Sequence, residues 1–198
     1  MLIAHTLKKT AVAAAITAAL LPFSQAQADS YTVDTEGNHA FVQFKISHLG
    51  YSYILGSFED FSGEFDYDPD NLEDASVAFD VEVASLNSNH AERDRHILSD
   101  EFLDADAYPT ATFRSTGFES NGESEGVVTG ELTLHGETQT IDMPVTLVGE
   151  GDDPWGGYRA GFEGSTTLSL SEFGIDMQKF PEPMRELELY VTFEGIRQ

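Results

Sequence analysis

Residues 41–48 read FVQFKISH, and this stretch decides the fold class because apolar and polar side chains alternate along its whole length. One face carries Val42, Phe44, Ile46 and His48, while the intervening positions are glutamine, lysine and serine. Successive side chains of a β-strand point to opposite faces of its sheet, so this run indicates a strand with one buried and one wet face. That pattern is typical of antiparallel sheets.

The same period of two recurs through most of the chain after residue 28, in runs near residues 61–67, 76–83, 110–114, 128–134, 141–147, 160–170 and 187–194. Turn signals separate the runs, such as the Asn-Gly pair at 121–122, which tolerates the positive φ of a hairpin turn. With a short lead-in at residues 31–33, about eight main strands are predicted. Phe58 is out of step with the run that follows it, which predicts a β-bulge near residues 59–60.

Eight antiparallel strands with one apolar face can form either a sandwich or a closed barrel. Several of the runs exceed ten residues, whereas sandwich strands usually have about 5–6. Long strands joined by tight hairpins favour closure, because a closed barrel has no exposed edges. The sequence therefore predicts an all-β fold in which residues 29–198 form one domain, an eight-stranded antiparallel barrel.

One stretch, residues 89–104 (NHAERDRHILSDEFLD), breaks the alternation and contains few β-formers. Ile97 and Phe102 fall near helical spacing, and Asn89 is in position to cap a helix with Glu92 three residues later. We therefore expect a short helical cap segment that closes one end of the barrel.

The first 28 residues have the three parts of a secretory signal peptide. A start with two lysines and no acid precedes an apolar run at residues 11–23, and Ala26 and Ala28 have the spacing that signal peptidase reads. The apolar run is shorter than the roughly 20 residues that a membrane-spanning helix needs. We expect export, with cleavage after about Ala28 and a soluble mature chain.

The charge of the chain after residue 28 limits its partners. It carries all 35 acidic residues but only eight of the ten basic ones, a formal charge of −27. Such a polyanion repels nucleic acid and anionic membranes, so we expect no nucleic-acid partner and no stable membrane insertion. The chain has no cysteine, which removes thiol catalysis, thiolate metal sites and disulfides from consideration.

The predicted inward faces are rich in phenylalanine, and these rings either fill the barrel or line a long dry tunnel. An eight-stranded barrel is wide enough for either arrangement, and periodicity does not distinguish them. A linear hydrocarbon suits a tunnel, because each buried methylene contributes about 0.8 kcal/mol. The positions predicted to line such a tunnel are Val42, Phe44, Ile46, Phe61, Phe65, Val77, Phe79, Val81, Val83, Phe113, Leu132, Leu134, Met143, Val145, Phe162, Leu168, Leu189 and Val191.

Four long strings resemble the YceI-like family of exported bacterial lipid-binding proteins, in the order and separation typical of that family. They are HAFVQFKISHLGYSYILGSFEDFSGEF (39–65), NHAERDRHILSDEFLDADAYPTATFRSTGFE (89–119), GELTLHGETQTIDMPV (130–145) and GDDPWGGYRAGFEG (151–164). The resemblance implies a lipocalin-like barrel in the periplasm that holds a polyisoprenoid chain, such as an isoprenoid quinone or its precursor. It also implies that there are no catalytic residues and no prosthetic group.

Several polar residues near the predicted cap are candidates for chemistry. His48 continues an inward face at a strand end, in position to meet a polar head group at the barrel mouth. The family's arginine-aspartate-x-histidine string stands at residues 93–96, where it reads as an acid/base group or, preferably, as a network that holds the cap. His90 and His96 fit no common metal-ligand spacing, so no metal site is expected. The head-group or cap candidates are His48, Arg93, Asp94, His96, Leu98 and Phe102.

The sequence thus predicts a non-enzymatic periplasmic protein that holds a long-chain polyisoprenoid for transport or storage. We expect no cofactor, and either a monomer or a homodimer. The alternative is a periplasmic stress-protective or interaction module whose barrel is packed and free of ligand. The sequence leaves open whether the loop at residues 152–155 packs on the barrel rim or touches a ligand.

Overall fold

The computed structural model describes residues 28–198, so the predicted signal peptide lies outside the described residues apart from its last residue. The described chain forms eleven strands and one α-helix. They are β1 (Asp29–Val33), β2 (Ala40–His48), β3 (Ser52–Phe58), β4 (Phe61–Tyr67), β5 (Ser76–Glu82), β6 (Leu86–Asn87), α1 (Ala91–Ile97), β7 (Thr110–Ser120), β8 (Glu125–Leu134), β9 (Glu137–Asp152), β10 (Tyr158–Ser169) and β11 (Glu186–Arg197).

Eight of these strands close into a ring in the order β1-β4-β5-β7-β8-β9-β10-β11, and β11 pairs back onto β1. All pairings in the ring are antiparallel. The all-β, eight-stranded antiparallel barrel with a short helix is therefore confirmed. The remaining strands β2, β3 and β6 continue the wall beside β11 at one end, which we call the cap end because α1 lies there.

Strand β11 pairs with both β1 and β2 along the same edge, and hydrogen bonds hold the turn that connects β1 to β2. β1 pairs with Gly195–Arg197 and β2 pairs with Leu187–Phe193. At the turn formed by residues 34–39, the partner of β11 therefore changes from β1 to β2. The carboxylate of Asp34 accepts a hydrogen bond from the backbone N–H of Gly37 at 2.9 Å. Arg159 Nη1 donates to the same carboxylate at 2.6 Å, which ties the turn to β10.

The predicted bulge at residues 59–60 is wrong. These two residues form a corner between β3 and β4, which are not neighbours in the sheet. The backbone N–H of Glu59 donates to the carbonyl of Ser85 at 3.2 Å, and Asn87 Nδ2 donates to the Glu59 carboxylate at 2.6 Å. Phe58 is out of step because the chain changes partners there.

The predicted cap segment contains a seven-residue helix, but its N-cap is His90 and not Asn89. Asn89 adopts a positive φ of 62°, and the ring of His90 accepts a hydrogen bond from the backbone N–H of Arg93 at 3.2 Å. The left-handed residue reverses the chain immediately before the helix, which moves the cap by one position. Among residues 28–198, no helix is long and apolar enough to cross a membrane.

Buried side chains form three clusters along the inside of the barrel. One lies at the cap end around Phe44, Val83 and Leu170, and a second lies at the opposite end around Tyr31, Phe65 and Phe79. A third, smaller cluster around Phe173 connects β8, β10 and the segment that follows β10. Together they leave an elongated space along the barrel axis.

Candidate functional site

The barrel encloses a cavity of about 450 Å³ that reaches from the cap end to the opposite end. Its length follows from β11, because Leu187 and Phe193 both line it and are six residues apart, roughly 20 Å along a strand. That volume spread over that length makes a narrow tunnel, which is suited to one linear chain.

Most of the residues predicted to line a tunnel do border the cavity. They are Val42, Phe44, Ile46, Phe65, Val77, Phe79, Val81, Phe113, Leu132, Leu134, Met143, Val145, Phe162, Leu168, Leu189 and Val191. Phe61 and Val83 lie outside the lining. Phe61 packs between two core clusters, and Val83 is 1% exposed in a 3-10 turn that begins where the alternation of β5 ends.

The tunnel stays open because inward phenylalanine rings lie over glycines of neighbouring strands. A Cβ atom added to Gly56 would lie 2.3 Å from Cζ of Phe44, and one added to Gly63 would lie 2.9 Å from Cε1 of Phe79. Such distances are far below van der Waals contact, so each ring occupies the space of the absent side chain. The same relation holds for Phe65 over Gly195, Phe113 over Gly130, and Phe118 over Gly126. The rings therefore thicken the wall and leave the axis free.

Aromatic rings also line the end of the cavity opposite the cap. The rings of Tyr31 and Phe65 stack with centroids 4.7 Å apart, and Phe65 meets Phe162 and Phe193 edge-on at 5.6 Å and 5.5 Å. Tyr67 meets Phe162 at 5.2 Å. Such edge-on pairs contribute about 0.5–1.5 kcal/mol each beyond their burial, which makes this end a rigid apolar surface.

Residues 170–185, between β10 and β11, fold into the cap-end mouth and were not predicted as part of the site. Leu170, Ile175, Met177, Phe180 and Met184 from this segment border the cavity. Their apolar side chains were visible in the sequence, but apart from Leu170, which ends the alternating run at residues 160–170, they belong to no predicted strand or helix. Only the tertiary fold brings them beside Phe102 of the predicted cap, whose ring lies 5.6 Å from that of Phe180.

Four of the six head-group or cap candidates border the cavity at the cap end, namely His48, Arg93, His96 and Phe102. Asp94 and Leu98 do not. Leu98 packs against the cap-end core cluster. Asp94 accepts hydrogen bonds from the backbone N–H of Ser88, at 2.9 Å, and from its hydroxyl.

Ser88 is buried and joins the two charged residues of this network. Arg93 Nε donates to the Ser88 hydroxyl at 2.7 Å, and a second guanidinium nitrogen donates to the Ser88 carbonyl. Every polar atom of this buried residue is thereby paired, so the network fixes α1 against the barrel wall. His96 lies further out, with its Nε2 2.7 Å from the carboxylate of Glu101.

The polar groups at the end opposite the cap are already engaged. The carboxylate of Asp66 accepts hydrogen bonds from the hydroxyls of Ser30, at 2.6 Å, and Ser76, at 3.0 Å. Burial, reinforced by the nearby charge of Glu150, raises the pKa of Tyr67 to about 12, so its phenol stays neutral at this end of the cavity. The described residues at this end therefore present a ligand with groups that are neutral or already paired.

One group of possible metal ligands lies outside the cavity, where Asp34, His39 and Glu194 come together. Arg159 Nη1 stands 2.6 Å from both carboxylates, which already compensates their charge. The hydrogen bonds from Arg159 and His39 hold the pKa of Asp34 at about 2. The arrangement ties the turn that follows β1 to β10 and β11.

The loop at residues 152–155 lies at the barrel rim, outside the lining of the cavity. Trp155 is 76% exposed, does not border the cavity, and lies over the guanidinium of Arg159 with 5.3 Å between that carbon and the ring centroid. Asp153 accepts hydrogen bonds from the backbone N–H groups of Trp155 and Gly157, which lower its pKa together with the nearby Arg159.

The closed antiparallel ring, the apolar tunnel and the capped mouth together define a hollow barrel of the kind that encloses an elongated apolar molecule. The chain belongs to the YceI-like domain family, whose pattern matches residues 31–194. This finding confirms the resemblance noted in the sequence.

Relatives and solved structures agree with that assignment. The chain is 52% identical over 193 residues to a UPF0312 protein of Pseudomonas syringae pv. tomato, covering 97% of this chain and 99% of the relative. It is similar to the crystal structure of BcnA from Burkholderia cenocepacia, with a TM-score of 0.73, 25% identity and coverage of 82% of this chain and 98% of that one. A polyisoprenoid binding domain from Saccharophagus degradans shares the fold, with a TM-score of 0.64, 13% identity, and coverage of 85% and 98%.

Proposed function

We propose that this protein is a periplasmic carrier or reservoir that holds one polyisoprenoid chain, such as the tail of an isoprenoid quinone or its precursor, inside its barrel. The protein acts by binding and performs no catalysis. The observation that carries the proposal is the tunnel itself, about 450 Å³ of narrow, almost wholly apolar space.

The shape and chemistry of the tunnel favour a linear hydrocarbon over other ligands. Burying about ten methylene-sized groups contributes roughly 8 kcal/mol, which offsets much of the cost of association. A branched isoprenoid chain also fits a wall made of alternating ring faces and aliphatic side chains. The polyisoprenoid named for the Saccharophagus degradans domain supports the same ligand class, although that domain's likeness to this chain extends to the fold alone.

The proposed ligand lies with its polar head group at the cap end. His48, Arg93 and His96 border the cavity there. Two guanidinium nitrogens of Arg93 already donate to Ser88, and His96 Nε2 faces Glu101, so the imidazole of His48 and the remaining N–H groups of Arg93 are the donors that a ligand can use. Quinone carbonyls are acceptors, so they suit these side chains. The opposite end offers groups that are neutral or already paired, and the apolar terminus of the ligand belongs there. The export expected from the sequence supports a periplasmic location for this carrier.

Fluorescence titration tests the proposal. Trp155 is replaced by Phe to remove the native signal, and Phe44→Trp, within the tunnel, supplies a new reporter. Titration with a short-tailed isoprenoid quinone is expected to change the emission of this reporter saturably, at about one ligand per chain. The native protein, whose Trp155 lies outside the tunnel, serves as the control. Unchanged emission of the tunnel reporter at saturating quinone, together with no heat of binding, would refute the proposal.

A further inference from the structure

The hairpin formed by β2 and β3 carries an exposed apolar surface at the cap end. Tyr51 is 89% exposed, Tyr53 64%, Leu55 63% and Leu49 46%. Tyr53 and Leu55 lie on the outer face of β3, and Leu49 and Tyr51 form the turn. We call these four residues the hairpin patch.

The hairpin patch lies within the longest acid-free stretch of the chain after the predicted signal peptide. Residues 37–58 contain neither Asp nor Glu, and the next longest such stretch of that part, residues 107–118, is only 12 residues long. The 35 acidic residues of this part would be expected to interrupt a 22-residue stretch several times. The hairpin itself therefore contributes no negative charge towards a surface that it contacts.

The inner face of the same hairpin belongs to the mouth of the tunnel. Ile46, His48 and Ile54 border the cavity, and Ile54 sits between the outward-facing Tyr53 and Leu55 in sequence. The exposed apolar surface and the tunnel are thus two sides of one two-stranded wall. Because Leu49 and Tyr51 form the turn at the edge of this wall, a surface that docked on the patch would lie beside the tunnel mouth.

We propose that the hairpin patch is a reversible docking site for the surface of a phospholipid bilayer, from which the tunnel takes up or to which it returns its ligand. This inference rests on the proposed function, because only a lipid ligand has to leave a membrane. Tyrosine side chains combine an apolar ring with a polar tip and favour the membrane–water interface. Four exposed residues give weak and transient binding, unlike the insertion of a helix or an anchor.

The charge of the molecule predicts how docking depends on the membrane. The protein is expected to bind zwitterionic vesicles without electrostatic repulsion. Anionic vesicles are bound more weakly at low ionic strength, because the rest of the protein carries a large negative charge, and added salt restores binding by screening that repulsion. Ordinary electrostatic adsorption of a basic protein shows the opposite dependence on salt.

Depth-dependent quenching locates the contact. The mature protein with Trp155→Phe and Tyr51→Trp is mixed with phosphatidylcholine vesicles that contain brominated acyl chains. The emission of the indole introduced into the hairpin patch is expected to be quenched. The native Trp155 lies in the turn between β9 and β10, at the end opposite the cap, and is expected to keep its emission under the same conditions. Quenching of Trp155 in the native protein, with no quenching of the hairpin reporter in the variant, would overturn the inference.

A matched pair of variants measures the contribution of the patch. Tyr53→Thr combined with Leu55→Thr keeps residues that favour strands, and is expected to lower partition into zwitterionic vesicles about tenfold. Val148→Thr removes an apolar side chain that is equally exposed, at 66%, on β9, and is expected to leave partition unchanged. Equal losses in both variants, or no loss in the double variant, would contradict the inference.

Binding of a short-tailed quinone in the absence of vesicles separates this inference from the proposed function. A protein that binds the quinone but does not partition into vesicles retains its proposed function and loses the docking site. A protein that binds neither loses both. Light scattering on the same samples detects self-association, and a dimer abolished by the double variant would assign the patch to a second copy and overturn bilayer docking.

Discussion

Replacing Val145 with Trp distinguishes a hollow barrel from a packed one. Val145 borders the tunnel from β9, and Val148, three residues further along the same strand, is 66% exposed on the outside. The same substitution can therefore be made on both faces of one strand. Trp has seven more heavy atoms than Val, and in Val145→Trp the indole projects into the axial space.

The expected magnitude follows from the size of the tunnel. If about half of the added atoms take the place of the ligand, about three or four methylenes lose burial at about 0.8 kcal/mol each. The affinity for an isoprenoid chain then falls by about 3 kcal/mol, roughly a hundredfold. The free energy of unfolding is expected to stay within about 1 kcal/mol of the native value, because the indole enters open apolar space and avoids the cost of about 1–3 kcal/mol that is typical of overpacking.

Urea unfolding and calorimetric titration with a short-tailed isoprenoid quinone measure the two quantities, and Val148→Trp is the control for both. A packed barrel would give the reverse pattern, in which Val145→Trp is destabilised by more than about 2 kcal/mol relative to Val148→Trp. Native affinity in Val145→Trp would place the ligand outside the tunnel. Either result would show that the cavity does not hold the ligand.

Three further variants test separate parts of the structure. Gly63→Ala is expected to push the ring of Phe79 into the tunnel and to weaken quinone binding about tenfold by calorimetry, with a loss of about 1 kcal/mol in urea unfolding; unchanged affinity would show that the ring does not border the ligand. Asp34 has its pKa held at about 2 against an ordinary 3.8, so its charged form stabilises the fold above about pH 4, and this stabilisation is lost as the pH falls towards 2. The stability advantage of the native protein over Asp34→Asn should therefore shrink by about 2 kcal/mol between pH 5 and pH 2 in urea titrations, and a constant difference would contradict the assigned ion pair. Asp94→Ala leaves the buried Ser88 without its acceptor and should cost about 1–3 kcal/mol, with faster hydrogen exchange in α1; exchange that speeds up uniformly through the barrel would argue against a local role.

Much of the fold was predictable because alternation is a local signal that survives into the folded state. The runs around Phe44 and Leu189 alternate because one face of each strand is buried. Which strands pair does not change which residues of a strand face inward. The pairing of β11 with β1 along one part of its length and with β2 along another was not predictable. The turn that separates β1 from β2 is held in part by the Asp34–Arg159 contact, whose residues are 125 positions apart.

The hollow interior could not be predicted, because the sequence shows how many phenylalanines there are but not where their rings lie in the folded barrel. Phe44 opposite Gly56 becomes part of the wall only because the register of β2 and β3 brings these two residues together. The same ring opposite a larger side chain would be forced toward the axis. Val83 shows the converse error. Its place in the alternation predicts that it lines the tunnel, but β5 has already ended and Val83 lies in the 3-10 turn that follows it.

The mouth was predicted in part for a related reason. The departure from alternation at residues 89–104 marked the cap, and Arg93, His96 and Phe102 do border the cavity. Phe180 and its neighbours after β10 escaped prediction, because irregular segments have no period and their position is set by the tertiary fold.

Mass spectrometry of the organic extract of the protein, purified without detergent from a bacterium that makes it natively, tests directly whether the tunnel holds a prenyl lipid. A polyisoprenoid lipid is expected at close to one molecule per chain. The lipid content is expected to be lower in Val145→Trp, whose affinity is about a hundredfold weaker, and unchanged in Val148→Trp. An extract without prenyl lipid from native protein, or the same lipid content in both variants, would contradict the claim that the tunnel holds the ligand.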